Sequence, residues 1–167
     1  MAPTAARPAE MAFRELIRLY GLLERVMQPY FARFGISGSQ WGILRTLDRA
    51  EREGLTALRL TDLSDRLLIR PPSVTGAIDR MERDGLVVRD ASATDLRSKN
   101  IRLTDQGRRL IEQVLSGHRE QIKRVLAALT AAQQSQLQSL LDQLGDHLEN
   151  LRACRSAHEH APAVNRN

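Results

Sequence analysis

A chain of 167 residues, 42% of them hydrophobic and 27% charged, has room for one domain, or one domain with a helical appendage. Its balance is that of a folded soluble protein, without an apolar run near the roughly 20 residues that cross a bilayer. Twenty-five Lys+Arg against 20 Asp+Glu give a net charge of +5.

All of the cations except Lys99 and Lys123 are arginines, whose planar, untitratable forks suit phosphates and guanine edges. Composition therefore tilts modestly toward a nucleic-acid partner, although a genome rich in Arg and Ala codons would give the same bias. Met1–Arg14 holds no signal-like apolar core. The single cysteine, Cys154, leaves no intrachain disulfide framework and no cysteine-based zinc site, so a reducing cytoplasm is expected.

Residues 1–8, rich in Ala and Pro, read as a flexible arm. From Phe13, apolar residues recur at helical spacing through Leu16, Ile17, Tyr20, Leu23, Met27, Phe31 and Phe34, which predicts a long helix over residues 9–36. Pro29 is expected to bend or split off its last turns, and Gly35 to stop it. Ser37-Gly38-Ser39 offers capping oxygens to a shorter helix carrying Trp41, Leu44 and Leu47. A further short helix follows over Leu60–Leu68, with Thr61 as its cap.

Pro71-Pro72 marks the start of the next helix, because proline is tolerated where the first-turn amides are unpaired anyway. Val74, Ile78 and Met81 bury one of its faces, and Gly85 ends it. The period then shortens: Leu86–Arg89 and Ile101–Thr104 read as a two-stranded hairpin around a polar loop, Asp90–Asn100. Two more helices are expected, one after Thr104/Asp105 with a stripe of Leu, Ile and Val and one after Thr130 with a stripe of Leu, fading into a polar tail at residues 155–167.

Two short helices followed at once by a hairpin are the order of a winged helix-turn-helix, whose second helix enters the major groove. The leading turns of that helix should carry small polar groups and cations, and the sequence supplies Arg70, Pro72, Ser73, Thr75 and Gly76, with Arg80 a turn further on. Ser73 and Thr75 can bond phosphates or base edges, Gly76 admits close approach, and Arg80 suits a flanking phosphate. Taken singly, Ser73 reads equally well as a capping oxygen and Arg80 as a solvated cation. The order of the elements favours DNA. Asp95, Arg97, Ser98 and Lys99 fall at the hairpin tip, where Asp95 could aim Arg97 toward a narrow minor groove. Ser37 and Thr61 complete the expected DNA-facing set.

Three stretches together are similar to the MarR regulators of bacterial transcription: Gln40–Leu44, Val74–Arg89, and Asp95–Ser98 followed by Leu103–Gly107. The likeness covers roughly Phe13 to Leu151. It implies a mainly α fold with a small β-hairpin, in which a winged helix-turn-helix over residues 37–104 lies between dimerisation helices at 9–36 and 105–154. It also implies a homodimer on a pseudo-palindromic operator of double-stranded DNA, and a cleft that often takes a small aromatic or phenolic molecule and releases the DNA. Such a regulator is expected in the bacterial cytoplasm, with the nucleoid when DNA-bound, and needs no cofactor. Gly76 stands where many relatives carry a larger side chain, and Cys154 is far from the position of the reactive cysteine in peroxide-sensing relatives.

The apolar stripes of the flanking helices exceed what a small winged domain can cover, which argues independently for an interface. For the ligand, Tyr20, Met27, Trp41 and Leu44 with the cation Arg45 could line a pocket for an aromatic carboxylate. The same residues also read as core packing, with Arg45 a surface or dimer contact. His158, Glu159, His160 and Cys154 lie in the fading tail and are not expected to hold a metal. His118 and His147 read as partnered interface histidines. No nucleophile elbow, HExxH or phosphate loop is present, so no enzyme is expected. The competing reading is a winged-helix architectural or protein-interaction module without an effector.

Overall fold

The computed structural model describes residues 8–67, 71–91 and 99–159. They form α1 (Pro8–Ala32), α2 (Gly38–Arg52), β1 (Leu58–Arg59), α3 (Leu60–Leu67), α4 (Pro71–Arg83), β2 (Val87–Ala91), β3 (Lys99–Leu103), α5 (Asp105–Val125) and α6 (Ala131–Glu159). The chain divides into two compact units between Val125 and Leu126, so α5 belongs with the winged part and α6 stands in a unit of its own.

Capping chemistry sets most boundaries in the first unit. Ser37 Oγ accepts the Gln40 N–H (3.2 Å) while Gln40 Oε1 accepts the Ser37 N–H (2.9 Å), a reciprocal box that fixes the start of α2. Gly35, at φ 71°, makes the preceding turn, with Ile36 N–H returning to Phe31 O. Gly85, at φ 70°, does the same after α4. Thr104 holds the far side: its hydroxyl donates to Gly85 O (2.6 Å) and its oxygen accepts the Gly107 N–H, so one side chain joins the end of α4 to the start of α5.

Three expectations change. Helix α1 runs unbroken through Pro29 to Ala32. The proline costs one amide donor near the helix end, where the buried Tyr30 and Phe31 hold the last turn by packing. Helix α3 begins at Leu60, so Thr61 lies inside its first turn and is not the cap, and Asp62 accepts the Arg59 N–H at 3.3 Å. The hairpin also has a third strand: β1 pairs antiparallel with β3, Leu58 opposite Ile101, giving the order β1-β3-β2. Two residues are too few to show alternation in the sequence. What fixes β1 is burial of Leu58 against the core.

That core is made by α2, α3, α4, the sheet and α5. Ile43, Leu44, Leu47, Leu63, Val74, Ile78, Met81, Val87, Ile101, Leu103 and Val114 are fully enclosed. Tyr30, absent from the periodic stripe, attaches α1 to α5 by donating its hydroxyl to Val114 O over Gly117. Packing at the α4–α5 corner is equally close, since a Cβ at Gly107 would overlap Leu86 O. In the second unit, Thr130 and Gln133 form the same kind of box that starts α2, and α6 continues through Glu159, beyond residue 155 where the sequence pattern fades.

Candidate nucleic-acid interface

The first residues of α4 and the start of α2 enclose an open cleft of about 420 Å³, lined by Ser39, Ile43, Pro72, Ser73, Val74, Gly76, Ala77 and Arg80. The geometry follows from the helical repeat: Val74, Ala77, Ile78 and Met81 turn into the core, and Ser73, Gly76 and Arg80 share one flank of the helix beside them. Ser73 and Arg80 are exposed, and Arg80 makes no ion pair among the described residues. At Gly76 an added Cβ would meet only Arg80 Nη1, 3.9 Å away, so the helix backbone there is bare on its outer side. Thr75 is half-buried.

Ser39 is a lining residue that the sequence reading did not select. Its hydroxyl lies 3.0 Å from Ser37 Oγ, beside the first free amides of α2. The signal was present in Ser37-Gly38-Ser39, three small residues at a helix start, but only the cap at Ser37 was read from it. Ser37 itself is committed to that cap. Thr61 is exposed in the first turn of α3.

The wing has a regular base. Strand β2 pairs with β3 from Val87↔Leu103 to Ala91↔Lys99, and Asp90 pairs with Arg102 across its outer face. Lys99 opens β3. Arg70, Asp95, Arg97 and Ser98 lie outside the described residues.

A second residue missed by the sequence reading is Arg89 of β2. Its guanidinium donates to Glu82 Oε2 (2.6 Å) and Asp79 Oδ1 (2.5 Å), and its backbone N–H to Glu82 Oε1 (3.2 Å). Burial works against its charge, but the hydrogen bonds and charges of Asp79 and Glu82 outweigh that and raise its pKa. Nothing in the local sequence pairs a strand arginine with acids seven and ten residues earlier. The turn at Gly85 brings them together.

The residues expected to line a ligand pocket separate into two places. Trp41 (7% exposed) and Leu44 are core, and Met27 packs against that core. Arg45 lies 5.8 Å above the Trp41 ring and bonds Asp48 at 2.5 Å. Tyr20 is 64% exposed and donates to Glu24, whose charge raises its pKa. It lies about 16 Å along α1, at 1.5 Å per residue, from Phe31, the ring on which Trp41 packs. His118 completes the aromatic group, with its ring centre 5.3 Å from Trp41, 6.0 Å from Phe31 and 6.1 Å from Tyr30. Burial, and secondarily the charge of Arg45, lower its pKa, so the ring is held neutral near pH 7. A separate cleft of about 300 Å³ runs between Phe34, Leu86 and Leu110, with Arg109 and Gln113 at its edge.

Among the described residues no group of three or more His, Cys, Asp or Glu could hold a metal, and no helix is long and apolar enough to cross a membrane.

The MarR family model matches residues 34–98, the span from the α1–α2 turn to the wing. PecS, a transcriptional regulator of Dickeya dadantii, is 31% identical over 137 residues, covering 82% of this chain and 81% of PecS. The chain belongs to the MarR family. Members are DNA-binding transcriptional regulators, not enzymes. The homoprotocatechuate degradative operon repressor of Escherichia coli is 34% identical over 116 residues, 70% of this chain and 75% of that repressor. The fold is shared with a mutant MarR from E. coli complexed with operator DNA (TM-score 0.68, 23% identity, 79% of this chain and 96% of the other). It is also shared with the ligand-free organohalide-sensing regulator RdhR (TM-score 0.78, 20% identity, 88% and 84%).

Proposed function

We propose that this chain is a homodimeric repressor that reads a pseudo-palindromic operator and leaves it when a small aromatic or phenolic ligand binds. The observation that carries this reading is the outer face of α4, where Ser73, the bare backbone at Gly76 and Arg80 open onto one cleft with Ser39. A base edge or phosphate can approach such a surface by moving no more than the flexible Arg80 side chain. Arg70, Pro72 and Thr75 belong to the same reading turns, Ser37 and Thr61 flank them, Arg97, Ser98 and Lys99 are assigned to the flanking backbone and the minor groove, and Asp95 to aiming Arg97.

Dimerisation is supported by what the single chain leaves uncovered. Phe13, Ile17, Leu19, Tyr20, Leu23 and Val26 of α1 are exposed, as are Leu140, Leu141, Leu144, Leu148 and Leu151 of α6. A second copy offers the same apolar helices in return. Two readers then meet the duplex about one helical turn, roughly 34 Å, apart. Ligand response is supported by the homoprotocatechuate degradative operon repressor among the relatives and an organohalide-sensing regulator among proteins of the same fold. Arg45, placed above Trp41, is the cation that would meet a carboxylate, with Met27 at the edge of the same core; the enclosed Leu44 and the distant, exposed Tyr20 do not join them within one chain. Such a regulator works in the cytoplasm, on DNA.

Anisotropy with duplexes selected by the protein from a random pool tests this reading. Arg80→Ala, which removes one phosphate contact from each subunit of the dimer, should weaken binding to all sequences alike and lower the salt slope by about 1.8, and Arg97→Ala should cost affinity with the fold intact. A folded dimer without preference for any palindrome overturns it. Thermal shift with aromatic acids and phenols, with and without DNA, tests the effector. An inducer must weaken DNA binding by the factor by which DNA weakens inducer binding.

A further inference from the structure

The arginine on β2 poses a question that the reading face does not answer. Arg89 is cationic and belongs to the winged lobe, yet its side chain is only 18% exposed and turned back onto α4. Both acids that it holds belong to the helix assigned to the major groove. At 100° per residue, Asp79 lies about 60° around α4 from Gly76, at the border of the face that carries Ser73, Gly76 and Arg80, and Glu82 lies one step further back. Asp79 remains half exposed, at 51%. An unneutralised carboxylate there would stand beside phosphates, where like charges repel across little water. A guanidinium has the planar fork to reach two carboxylates at once, and the backbone N–H of the same residue fixes Glu82 a second time.

The clamp also has a mechanical side. Arg89 sits in the ladder opposite Ile101, so whatever it holds is fixed to β3 and the base of the wing. Among the described residues, the other side-chain hydrogen bonds from the following elements come just beyond the helix end: Thr104 to Gly85 O, and Gln106 Nε2 to Asp84 O at 3.1 Å. Arg89 is the link that grips α4 one to two turns earlier, beside Arg80.

We propose that Arg89 is a positioning residue for DNA binding: it locks α4 to strand β2 and cancels the two carboxylates bordering the reading face, without touching the duplex. This rests on the assignment of α4 as the reading helix.

The test is fluorescence anisotropy on a duplex selected by the protein from a random pool, over a range of salt, with circular dichroism as the check on folding. Arg89→Ala should weaken binding about tenfold or more, with the salt slope unchanged, because no phosphate contact is lost. Arg80→Ala, a proposed phosphate contact in each subunit, should lower the slope by about 1.8. Adding Asp79→Asn and Glu82→Gln to Arg89→Ala should recover affinity at least about threefold, since the repelling charges are gone while the lock is still missing. Arg89→Lys keeps the charge but cannot span both acids, and should also bind more weakly than wild type. It carries the comparison where Arg89→Ala does not fold.

Binding by Arg89→Ala (or, where that does not fold, Arg89→Lys) within twofold of wild type overturns the proposal. So does a slope reduced as in Arg80→Ala, which would make Arg89 a phosphate contact. Failure of the two acid substitutions to recover affinity overturns it too, leaving a purely structural residue. If wild type binds no duplex, the assignment of α4 fails and the proposal with it.

Discussion

The winged lobe and the N-terminal half of α1 use the same apolar residue types to opposite effect. In the lobe, Ile43, Leu44, Ile78 and Leu103 are sealed, and the turns between elements are closed by Gly35, Gly85 and the Thr104 hydroxyl. In α1, Phe13, Ile17 and Tyr20 repeat with equal regularity and stay in solvent. Periodicity therefore reports that a face will be covered but not by what. The lobe supplies its own cover through long-range packing, whereas the stripe on α1 lacks one within the described unit. On the proposed dimer, the difference separates faces covered within the chain from faces whose cover would depend on protein concentration.

Substitutions can break this comparison. Ile78→Ala, at a site with no exposure, should cost about 2–5 kcal/mol in urea unfolding, with the same loss at every protein concentration. Ile17→Ala should instead give a loss that depends on concentration. If the two behave alike, the division between self-covered and partner-covered faces fails. Gly107→Ala should cost roughly 1–3 kcal/mol by forcing a methyl group against Leu86 O, and should raise the local mobility of the α4–α5 corner in hydrogen exchange. Ser37→Ala removes one side of the α2 capping box and should cost about 1 kcal/mol, measurable as a fall in Tm without a change in the unfolding slope.

The smallest effect sharpens the comparison inside the aromatic group that joins α1 to the lobe. His118 has a folded-state pKa below its ordinary value of 6.5, mainly through burial and then through Arg45. Its neutral form is thus favoured by folding. This contribution is present above the unfolded pKa and is lost as pH falls below it toward the folded value, so stability should decline on acidification through that window. His118→Phe keeps a ring against Trp41 and should flatten that part of the pH–stability profile. An unchanged slope would show that His118 is not its source.

Much of the lobe was legible because its signals are local. A capping serine, a proline pair opening α4, a glycine closing it and an alternating Ile101–Leu103 each act within a few residues. Ser73, Thr75, Gly76 and Arg80 are legible as small polar groups and a cation in the leading turns of α4, whereas folding half-buries Thr75 and leaves Ser73 and Arg80 exposed. Strand β1, Ser39 in the cleft and the Arg89 clamp were not legible, since each depends on a partner made adjacent by folding. Tyr20 and Trp41 show the same limit: both belong to apolar stripes, and only packing put one in solvent and the other in the core.

Local sequence thus determined where most helices begin and end, the order of a winged helix-turn-helix and the outward residues at the start of α4, because backbone propensity, capping and periodicity act over one or two turns. Tertiary structure alone decided which stripes are buried within the chain, that Leu58 adds a strand, and that an arginine beyond Gly85 returns to neutralise the helix before it. Those outcomes depend on distances closed by the turns and on the area removed from water, quantities that no short stretch of sequence contains.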